Sequence, residues 1–391
     1  MNQTQQSILT LLKSAITGES LPLSADFDWE IAKPLIKSHQ IGPLIYAGAV
    51  NCGMDKNHPE MQRLFQTYCK NMMVSELQLQ SIRQLCHAFD EEKIEYMPVK
   101  GCNMKPRYPK PELRAMGDAD ILIKLDQYDR IKPILIGQGY EEWQESDHEL
   151  IWQGRVLQLE LHKRLMPSYN KDYFRYFGDG WRLAKVKDGT HWSMTPEDEY
   201  IYLFTHFAKH YRDGGIGLRH VLDLWVFERS VPRLDENYIC AELEKLQLVE
   251  FRQNICKLLQ VWFCGEASDE KTEFISRFVF DSGSWGSDES KMVAAGVRDA
   301  EIAGSAKKGK AMRLWRVLFP ELKNMQLRYP VLKKLPVLLP LFWLVRWVRT
   351  LLFRRDRIAV QRNRLRQQNA GEIETYQQAL DFVGLDFHFK E

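Results

Sequence analysis

The stretch IEYMPVKGCNMKPRYPKPELRAMGDADILIK, residues 94–124, decides the fold of this chain. A short apolar run ends at Lys100-Gly101, and the later run GDADILI predicts a strand on which Asp118 and Asp120 project from one face. Two adjacent carboxylates repel each other, so a strand end that carries both is suited to a hard cation such as Mg²⁺ or Mn²⁺. A glycine turn just upstream lets backbone N–H groups approach a phosphate. The stretch therefore predicts a site for a cation and a phosphorylated ligand.

Composition indicates a globular protein with a sizeable core. The chain has 391 residues, of which 45% are hydrophobic and 27% are charged, which suggests two or three domains. Its seven cysteines form no C-x-x-C pair and no zinc-like cluster with histidine, so they predict reduced thiols in a cytoplasmic protein. The N-terminus has no basic region and too short an apolar run for a signal peptide.

Three motifs in the chain resemble those of one family. VKG at residues 99–101, RAMGDADILI at residues 114–123 and LELH at residues 159–162 are similar to the pattern LKG, R…DxDhL and ELH of the bacterial uncharacterised nucleotidyltransferase family. With its helical flanks, the resemblance extends over roughly residues 20–350. The usual superfamily turn is Gly-Ser or Gly-Gly, whereas this chain has Lys100-Gly101-Cys102. The resemblance implies nucleotidyl transfer, with ATP as the donor.

A third acid is predicted to join the two aspartates. Two further strand-like runs cover residues 148–153 and 155–162, and alternation in the second places Glu160 on its polar face. Glu160 can there complete a triad with Asp118 and Asp120, although an ordinary solvent-facing strand acid is the alternative interpretation. The motif LELH after a D-x-D strand favours the triad. These three acids are the predicted catalytic and metal-binding residues.

A second group of residues is predicted to bind the nucleotide. Lys100 and Gly101 are expected to hold phosphates, with Arg114 as a mobile phosphate clamp. The helical segment HFAKHYRDGGIGLRHVLDLW, residues 206–225, resembles a matching segment of the family that is expected to close over the nucleotide. Its two histidines at i and i+4 lack the Glu of an H-E-x-x-H zinc motif. For any single residue of this segment, charge on a helix surface with hydrogen-bonded core histidines is the alternative interpretation, while Lys209 and Arg219 taken together favour nucleotide binding. The full predicted set is Lys100, Gly101, Arg114, His162, Lys209 and Arg219.

Hydrophobic periodicity divides the chain into four parts. Asp28, Asp126 and Thr195 are predicted helix caps, and Pro59 is predicted to begin a long helix. The predicted fold class is α+β, with a small mixed-sheet nucleotidyltransferase core flanked by N-terminal and C-terminal helical regions. The four parts are a helical cap (1–92), the α/β core (93–190), a helical domain (191–304) and a basic amphipathic tail (305–391).

The tail concentrates the positive charge of the chain. The net charge is +2, but residues 307–366 carry 17 Lys and Arg against two acids, or +15, which leaves −13 for the remainder. Leu335–Phe353 is largely apolar, and Arg346 and Arg349 within it make a membrane span costly. A stripe of Trp343, Trp347 and Leu351 predicts instead an amphipathic helix.

Such a helix has two predicted positions. It either docks on the protein body or binds an anionic surface on the inner face of the membrane, where the basic pairs at residues 333–334 and 354–355 would meet headgroups. Nucleic acid is not a favoured partner, because the tryptophans and phenylalanines lie within apolar runs and are not interleaved with basic residues.

The leading prediction is a Mg²⁺-dependent nucleotidyltransferase that moves an NMP group from an NTP to an unidentified acceptor and releases pyrophosphate. The alternative is a non-catalytic nucleotide-binding or membrane-associated module with the same fold, which the altered turn and the basic tail favour. A complete acid triad argues against that alternative. Because the two aspartates repel each other, removing either Asp118 or Asp120 is expected to abolish transfer without destabilising the fold.

Overall fold

The computed structural model of the chain describes residues 1–24, 27–283, 286, 288–353 and 370–387. The chain divides into two compact units, one of residues 1–287 with 383–385 and one of residues 288–382 with 386–391. The four-part division expected from the sequence is finer and stays a prediction. The first unit contains the sheet and the two strands that carry the D-x-D and LELH motifs.

Four helices precede the sheet, and their starts follow the capping signals in the sequence. The Asp28 side chain accepts a hydrogen bond of 2.7 Å from the Glu30 backbone N–H, which confirms the predicted cap. Pro59 begins the longest of these helices, also as predicted. The helices are α1 (Gln3–Thr17), α2 (Trp29–His39), α3 (Gly42–Asn51) and α4 (Pro59–Glu91).

The central part of the first unit alternates strands with short helices. The elements are β1 (Tyr96–Val99), α5 (Gly101–Met104), β2 (Asp118–Ile123), α6 (Tyr128–Gly137), β3 (Glu141–Glu145), β4 (Glu149–Gln153), β5 (Gln158–His162), α7 (Lys171–Phe177), β6 (Lys185–Asp188) and β7 (His191–Ser193). Within the described residues they form one seven-stranded mixed sheet in the order β3-β4-β5-β2-β1-β7-β6. The predicted α+β class is therefore confirmed.

The register of the three central strands sets the geometry of the site. Strand β2 pairs in parallel with β5, which places Asp120 opposite Glu160. Strand β1 pairs antiparallel with β2, and Val99 is opposite Asp120. Because side chains alternate between the faces of a strand, the apolar partners Ala119, Ile121, Leu159 and Leu161 enter a fully buried core on the other face.

Two local predictions differ from the structure. Asp126 does not cap α6, because the helix begins at Tyr128 and residues 125–127 form a 3₁₀ turn before it. Strands β3, β6 and β7 have no counterpart in the prediction. The residues of β3 and β6 are exposed, so these strands lack the apolar alternation by which a half-buried strand is recognised.

Helices complete the first unit after the sheet. Thr195 caps α8 by accepting a hydrogen bond of 3.1 Å from the Asp198 backbone N–H, as predicted. Helix α9 follows a turn at Gly214-Gly215, where both residues have positive φ angles of 118° and 133°. The helices are α8 (Pro196–Arg212), α9 (Leu218–Ser230), α10 (Glu236–Lys245), α11 (Val249–Leu259) and α12 (Glu270–Ser282).

The second unit is helical throughout its described residues. Its helices are α13 (Asp288–Ala303), α14 (Ala306–Leu318), α15 (Leu322–Arg328), α16 (Val331–Lys334), α17 (Leu339–Phe353) and α18 (Ala370–Phe382). Helix α13 packs against α14 and α18. None of the described helices combines the length and hydrophobicity that crossing a bilayer requires. Residues 354–366 of the predicted membrane-binding segment, with Arg354-Arg355, lie outside the described residues.

The tryptophans of the predicted stripe contact their own unit. The indole N–H of Trp343 donates a 3.0 Å hydrogen bond to the Pro320 carbonyl, and that of Trp347 donates one of 2.8 Å to the Leu318 carbonyl. Both rings also lie 5.1 Å from the Phe319 ring, centroid to centroid. The two tryptophans therefore contact protein in this unit, and the relation of the stripe to a membrane stays a prediction.

Candidate active site

The turn after β1 is the most unusual backbone feature of the site. Lys100 has φ +48° and ψ −116°, a combination that residues with a side chain adopt only when their surroundings impose it. Gly101 follows at the start of α5, and a Cβ added there would lie only 3.1 Å from Arg114 Nη1 and 3.4 Å from the Met116 side chain. A larger residue at position 101 would press on that support. The turn thus aims the Lys100 side chain toward β2.

Lys100 and His162 both contact Asp120. The Lys100 ammonium lies 2.7 Å from Asp120 Oδ1, and His162 Nε2 donates to the same oxygen at 2.8 Å. Asp120 and His162 are only 4% and 0% exposed. Burial alone raises the pKa of the Asp120 carboxyl, but the Lys100 charge and the His162 hydrogen bond outweigh it and lower the pKa well below the usual range. Asp120 is therefore ionised at neutral pH.

Two further carboxyl groups lie close to this negative charge. Burial, and then the charges of Asp120 and Asp118, raise the pKa of Glu160 to about 8. Burial and the charge of Asp120 also raise the pKa of Asp118. Burial is the larger cause of both shifts, and repulsion between the neighbouring carboxylates adds to it. A bound divalent cation would relieve this repulsion.

Two groups of candidate metal-binding side chains share His162. Among the described residues, Asp120, Glu160 and His162 place ligand atoms within 4.8 Å of one another, and so do His148, Glu149 and His162. The carboxylate oxygens of the first group suit Mg²⁺ or Mn²⁺. The His162 imidazole is not a typical ligand of these ions, and its Nε2 already donates to Asp120. The Asp118 side chain shares a face of β2 with Asp120 and lies at the rim of the same cavity. The predicted triad is thus brought to one place.

The carboxyl groups open into a cavity of about 300 Å³. Its walls come from the Lys100 turn, from the segment that precedes β2, from β4 and β5, and from one side of α8 and α9. The lining residues are Lys100, Gly101, Arg114, Ala115, Met116, Gly117, Asp118, Asp120, His148, Glu149, Glu160, Leu203, His206, Lys209, His210, Arg219, His220 and Asp223. The cavity therefore combines acids on the sheet with cations on the turn and the helices.

The cations on the helices differ in how they are held. Burial, and then the charge of Lys100, lowers the pKa of Lys209 to about 8, so its ammonium is charged at neutral pH. Arg219 Nη1 donates to the Ala115 carbonyl at 3.1 Å. Burial and the charge of the neighbouring Arg114 lower the pKa of Arg219. A bound anion would therefore stabilise the charged form of this guanidinium.

Arg114 is fixed by a buried ion pair. Its Nε and Nη2 donate to the two carboxylate oxygens of Asp223, each at 2.8 Å, and Tyr108 donates to the same carboxylate at 2.7 Å. Arg114 and Asp223 are 8% and 2% exposed. The ion pair occupies the Nε and Nη2 edge of the guanidinium, while Nη1 lies beside Gly101 at the cavity. The phosphate clamp expected from the sequence stays a prediction.

Comparison with known proteins identifies the family of the chain. The sequence profile of the family described as "uncharacterised nucleotidyltransferase" matches residues 25–264. The chain belongs to this nucleotidyltransferase family. No curated protein sequence matches the chain. The solution structure of the antibiotic-resistance factor ANT(2'')-Ia is similar to it with 13% identity and a TM-score of 0.31, over 48% of this chain and 97% of that one. A similarity of that size carries no argument.

The nucleotidyltransferase cavity gathers most of the residues singled out from the sequence. Lys209 and Arg219 line it together with the Lys100 turn and the three acids. His162 lies behind Asp120 and is completely buried, so it touches an acid of the site and not the open cavity. Its Nδ1 has no hydrogen-bond partner within the described part of the chain.

Some residues of the cavity carried no usable signal in the sequence. His148 and Glu149 line it, and no motif includes them. His206 and His220 also line it, and both lie in the segment 206–225 that the sequence analysis singled out. Burial, and then a neighbouring positive charge, lowers the pKa of His148 and of His220 to about 3, so both are neutral at pH 7. Asp223 could have been found, because it is an acid on the apolar side of helix α9.

Proposed function

We propose that this nucleotidyltransferase uses a divalent metal ion, Mg²⁺ or Mn²⁺, to transfer an NMP group from ATP to the hydroxyl group of an acceptor. Asp118, Asp120 and Glu160 are its proposed metal-binding and catalytic residues. The observation that supports this most is the parallel pairing of β2 with β5, which sets Asp120 opposite Glu160 at the wall of one cavity. Phosphoryl chemistry depends mainly on positioning and charge, and this cavity holds both acids and cations.

The donor set fits a divalent metal ion. Burial first, and then the charge of Asp120, raises the pKa values of Asp118 and Glu160. A divalent cation would stabilise the ionised form of both groups. Oxygen ligands of this kind suit Mg²⁺ or Mn²⁺. Bound there, the ion supplies neutralisation of the triphosphate and orientation of the acceptor oxygen.

The residues of the chain have distinct proposed roles. Lys100, the Gly101 turn, Lys209 and Arg219 bind the triphosphate, since their charges face the cavity. The acceptor oxygen attacks the α-phosphorus, the bond from that phosphorus to the bridging oxygen breaks, and pyrophosphate leaves. Glu160, whose pKa is raised to about 8, accepts the proton of the acceptor hydroxyl in its ionised form, which a bound metal ion would favour at neutral pH.

Two members of the predicted nucleotide-binding set act through other residues in this proposal. His162 holds Asp120 by a hydrogen bond of 2.8 Å and so orients that carboxylate. Arg114 lies against Gly101 and is anchored on Asp223, so it supports the turn beneath the phosphates. Both are positioning residues.

Binding without turnover is the second candidate function, and one observation favours it. The Lys100 ammonium already contacts Asp120, and a cation in that place competes with a metal ion. In a catalytic cycle this lysine would have to move toward the triphosphate when the nucleotide enters. The two candidates therefore differ in their need for metal.

We test the proposal with [α-³²P]ATP and a small-molecule extract of the source cells. Wild-type protein should transfer label to an acceptor only with Mg²⁺ or Mn²⁺ present, and Asp118→Asn should abolish the transfer. Asp126→Asn is the matched control, because that carboxylate is exposed and lies outside the cavity. Mg²⁺ and ATP together should raise the melting temperature more than either alone. A shift with ATP that EDTA leaves unchanged, without transfer, would establish the binding module.

We also propose the fourfold organisation of the chain, with chemistry in residues 93–190, helical regions at 1–92 and 191–304 around it, and the basic tail 305–391. Residues 307–366 of that tail are the proposed contact with an anionic membrane surface on the cytoplasmic side. The charge of +15 in this segment supports the proposal.

A further inference from the structure

A second cavity, of about 640 Å³, lies between α2 and α4 in the first unit. We name it the α2–α4 groove. Its lining includes the apolar side chains Trp29, Ile36, Leu64 and Val74. The volume lies within the range of about 300–1,000 Å³ that small-molecule sites occupy. Nothing in the proposed binding of ATP uses this groove.

The groove adjoins the carboxylate cavity across a wall that is one residue thick. Ala115 lines both cavities. Arg219, which lines the carboxylate cavity, lies 3.5 Å from the amide oxygen of Gln40, which lines the groove. The groove therefore ends beside the cavity that holds the acids, at a residue three positions before Asp118 in the chain.

Helix α4 holds this wall in place. Gln78 donates a 2.9 Å hydrogen bond to the Met116 carbonyl and is 3% exposed. Tyr68 donates to the Glu112 carboxylate at 2.9 Å. The segment that precedes β2 and forms a wall of the groove is thus held by side chains of α4. Such a fixed wall suits a site that must position a reacting group.

The charge of the groove is positive at its rim. Lys33, Lys37, Arg63 and Lys70 line it, against the single acid Glu60. Glu60 lies 3.7 Å from the Lys33 ammonium and 2.9 Å from the Arg63 guanidinium, so it is shared between these two cations. Lys37 and Lys70 form no ion pair within the described residues. An apolar floor with two unpaired ammonium groups at its edge fits a ligand that is apolar in its body and anionic at one end.

We propose that the α2–α4 groove binds the acceptor, and that the acceptor is an amphipathic molecule with a hydroxyl group and a carboxylate or phosphate. The hydroxyl group would extend past Ala115 to the acids, while the anionic group meets Lys37 and Lys70. This inference rests on the proposed function, since it names the substrate class of the same reaction. The triphosphate of the donor is matched instead by the cations of the carboxylate cavity.

The test uses 10-hydroxydecanoate, which carries a hydroxyl group, an apolar chain and a carboxylate. Isothermal titration calorimetry of the full chain, saturated with Mg²⁺ and α,β-methylene-ATP, should show saturable binding. Lys37→Glu/Lys70→Glu should weaken it at least tenfold, and so should Val74→Trp, which fills the groove. The control Lys56→Glu/Lys187→Glu makes the same charge change at exposed positions outside both cavities and should bind normally.

Binding of the nucleotide separates this inference from the proposed function. Each groove variant should keep the wild-type increase in melting temperature with Mg²⁺ and ATP, which also reports that it is folded. Loss of that increase in a folded Val74→Trp or Thr67→Trp variant would assign the groove to the donor nucleoside and overturn the inference. Absence of 10-hydroxydecanoate binding to the wild type, or equal binding to the groove and control variants, would also overturn it. If the wild type fails to bind Mg²⁺ and ATP at all, the proposed function itself is wrong.

Discussion

Asp118 and Asp120 lie two residues apart on β2, yet their surroundings give them opposite effects on stability. Burial and the charge of Asp120 raise the pKa of Asp118, so the folded chain holds this carboxylate under repulsion. Burial acts on Asp120 as well, but Lys100 and His162 more than compensate and lower its pKa. The folded protein therefore stabilises the negative charge of Asp120 and destabilises that of Asp118.

We expect Asp120→Ala to destabilise the first unit and Asp118→Ala to leave its stability unchanged or raised. Removing Asp120 strips the partner from Lys100, whose side chain is only 16% exposed. Loss of one member of a buried ion pair costs about 3–5 kcal/mol. Urea unfolding of both variants, followed by fluorescence, measures the difference. The sequence pattern alone predicts no loss for either variant, because it shows the two carboxylates and not the lysine.

A double variant provides the control for this prediction. Lys100→Met/Asp120→Ala removes both charges and should recover most of the lost stability, since no uncompensated ammonium is then buried. Equal losses in Asp118→Ala and Asp120→Ala would contradict the different environments assigned to the two acids.

At the scale of elements, the segment between β1 and β2 is attached to α9 by the pair Arg114–Asp223. We expect Asp223→Leu to cost about 3–5 kcal/mol, because it leaves a guanidinium that is 9% exposed without its carboxylate. Arg114→Met/Asp223→Leu should be closer to wild type in stability than Asp223→Leu is. A double-mutant cycle in urea measures the coupling between the two residues.

The same cycle also probes the site. Because Arg114 lies against Gly101, the double variant should fold and yet bind Mg²⁺ and ATP more weakly. The account fails if the two single substitutions are additive in stability, or if the folded double variant binds nucleotide as the wild type does.

The elements around the site show what the sequence could and could not predict. Side chains alternate along a strand with a period of two residues. This alternation predicted that Asp120 projects from the polar face of β2 and Glu160 from the polar face of β5, and the two residues are opposite each other in the structure. Arg114 and Asp223 are 109 residues apart in the chain, and no local pattern indicates that they meet. The exposed strands β3 and β6 escape prediction for a related reason: their pairing comes from neighbouring strands and not from an apolar face.

Lys100 illustrates the limit most clearly. Its position after an apolar run predicted a turn, and the turn is present. The positive φ of +48° and the contact with Asp120 depend on how β1 and β2 pair, which is a tertiary property. The sequence could therefore name the lysine as a site residue but not its partner.

At the scale of the whole molecule, charge and exposed apolar surface coincide in the tail. Residues 307–366 carry +15 in a chain whose remainder carries −13. Helix α17 leaves a row of aliphatic side chains exposed at spacings of three and four residues, namely Leu341, Leu344, Val345 and Val348. The tryptophans of the same helix are engaged within their own unit. The face available to a lipid surface is thus aliphatic, and it differs from the tryptophan stripe that the sequence suggested.

We predict that this face and the basic residues around it bind the full chain to anionic membranes without spanning them. Each basic residue near such a surface contributes about 1 kcal/mol, so a few of them suffice for reversible binding. The protein should co-sediment with liposomes that contain phosphatidylserine at low salt. The bound fraction should fall at high salt, because charges are screened over about 8 Å at physiological ionic strength.

Variants of α17 separate the apolar contribution from the electrostatic one. Leu344→Glu/Val348→Glu places two acids on the exposed face and should abolish sedimentation even at low salt, because it removes apolar contact and repels the lipid. Ile136→Glu/Val186→Glu makes the same charge change at exposed aliphatic positions of the first unit, so it is the control for net charge and should sediment as the wild type does. Failure of the wild type to sediment at low salt would mean that the tail docks on protein. Binding that survives both high salt and alkaline carbonate would mean insertion deeper than a surface helix allows, because electrostatic attachment does not withstand either treatment.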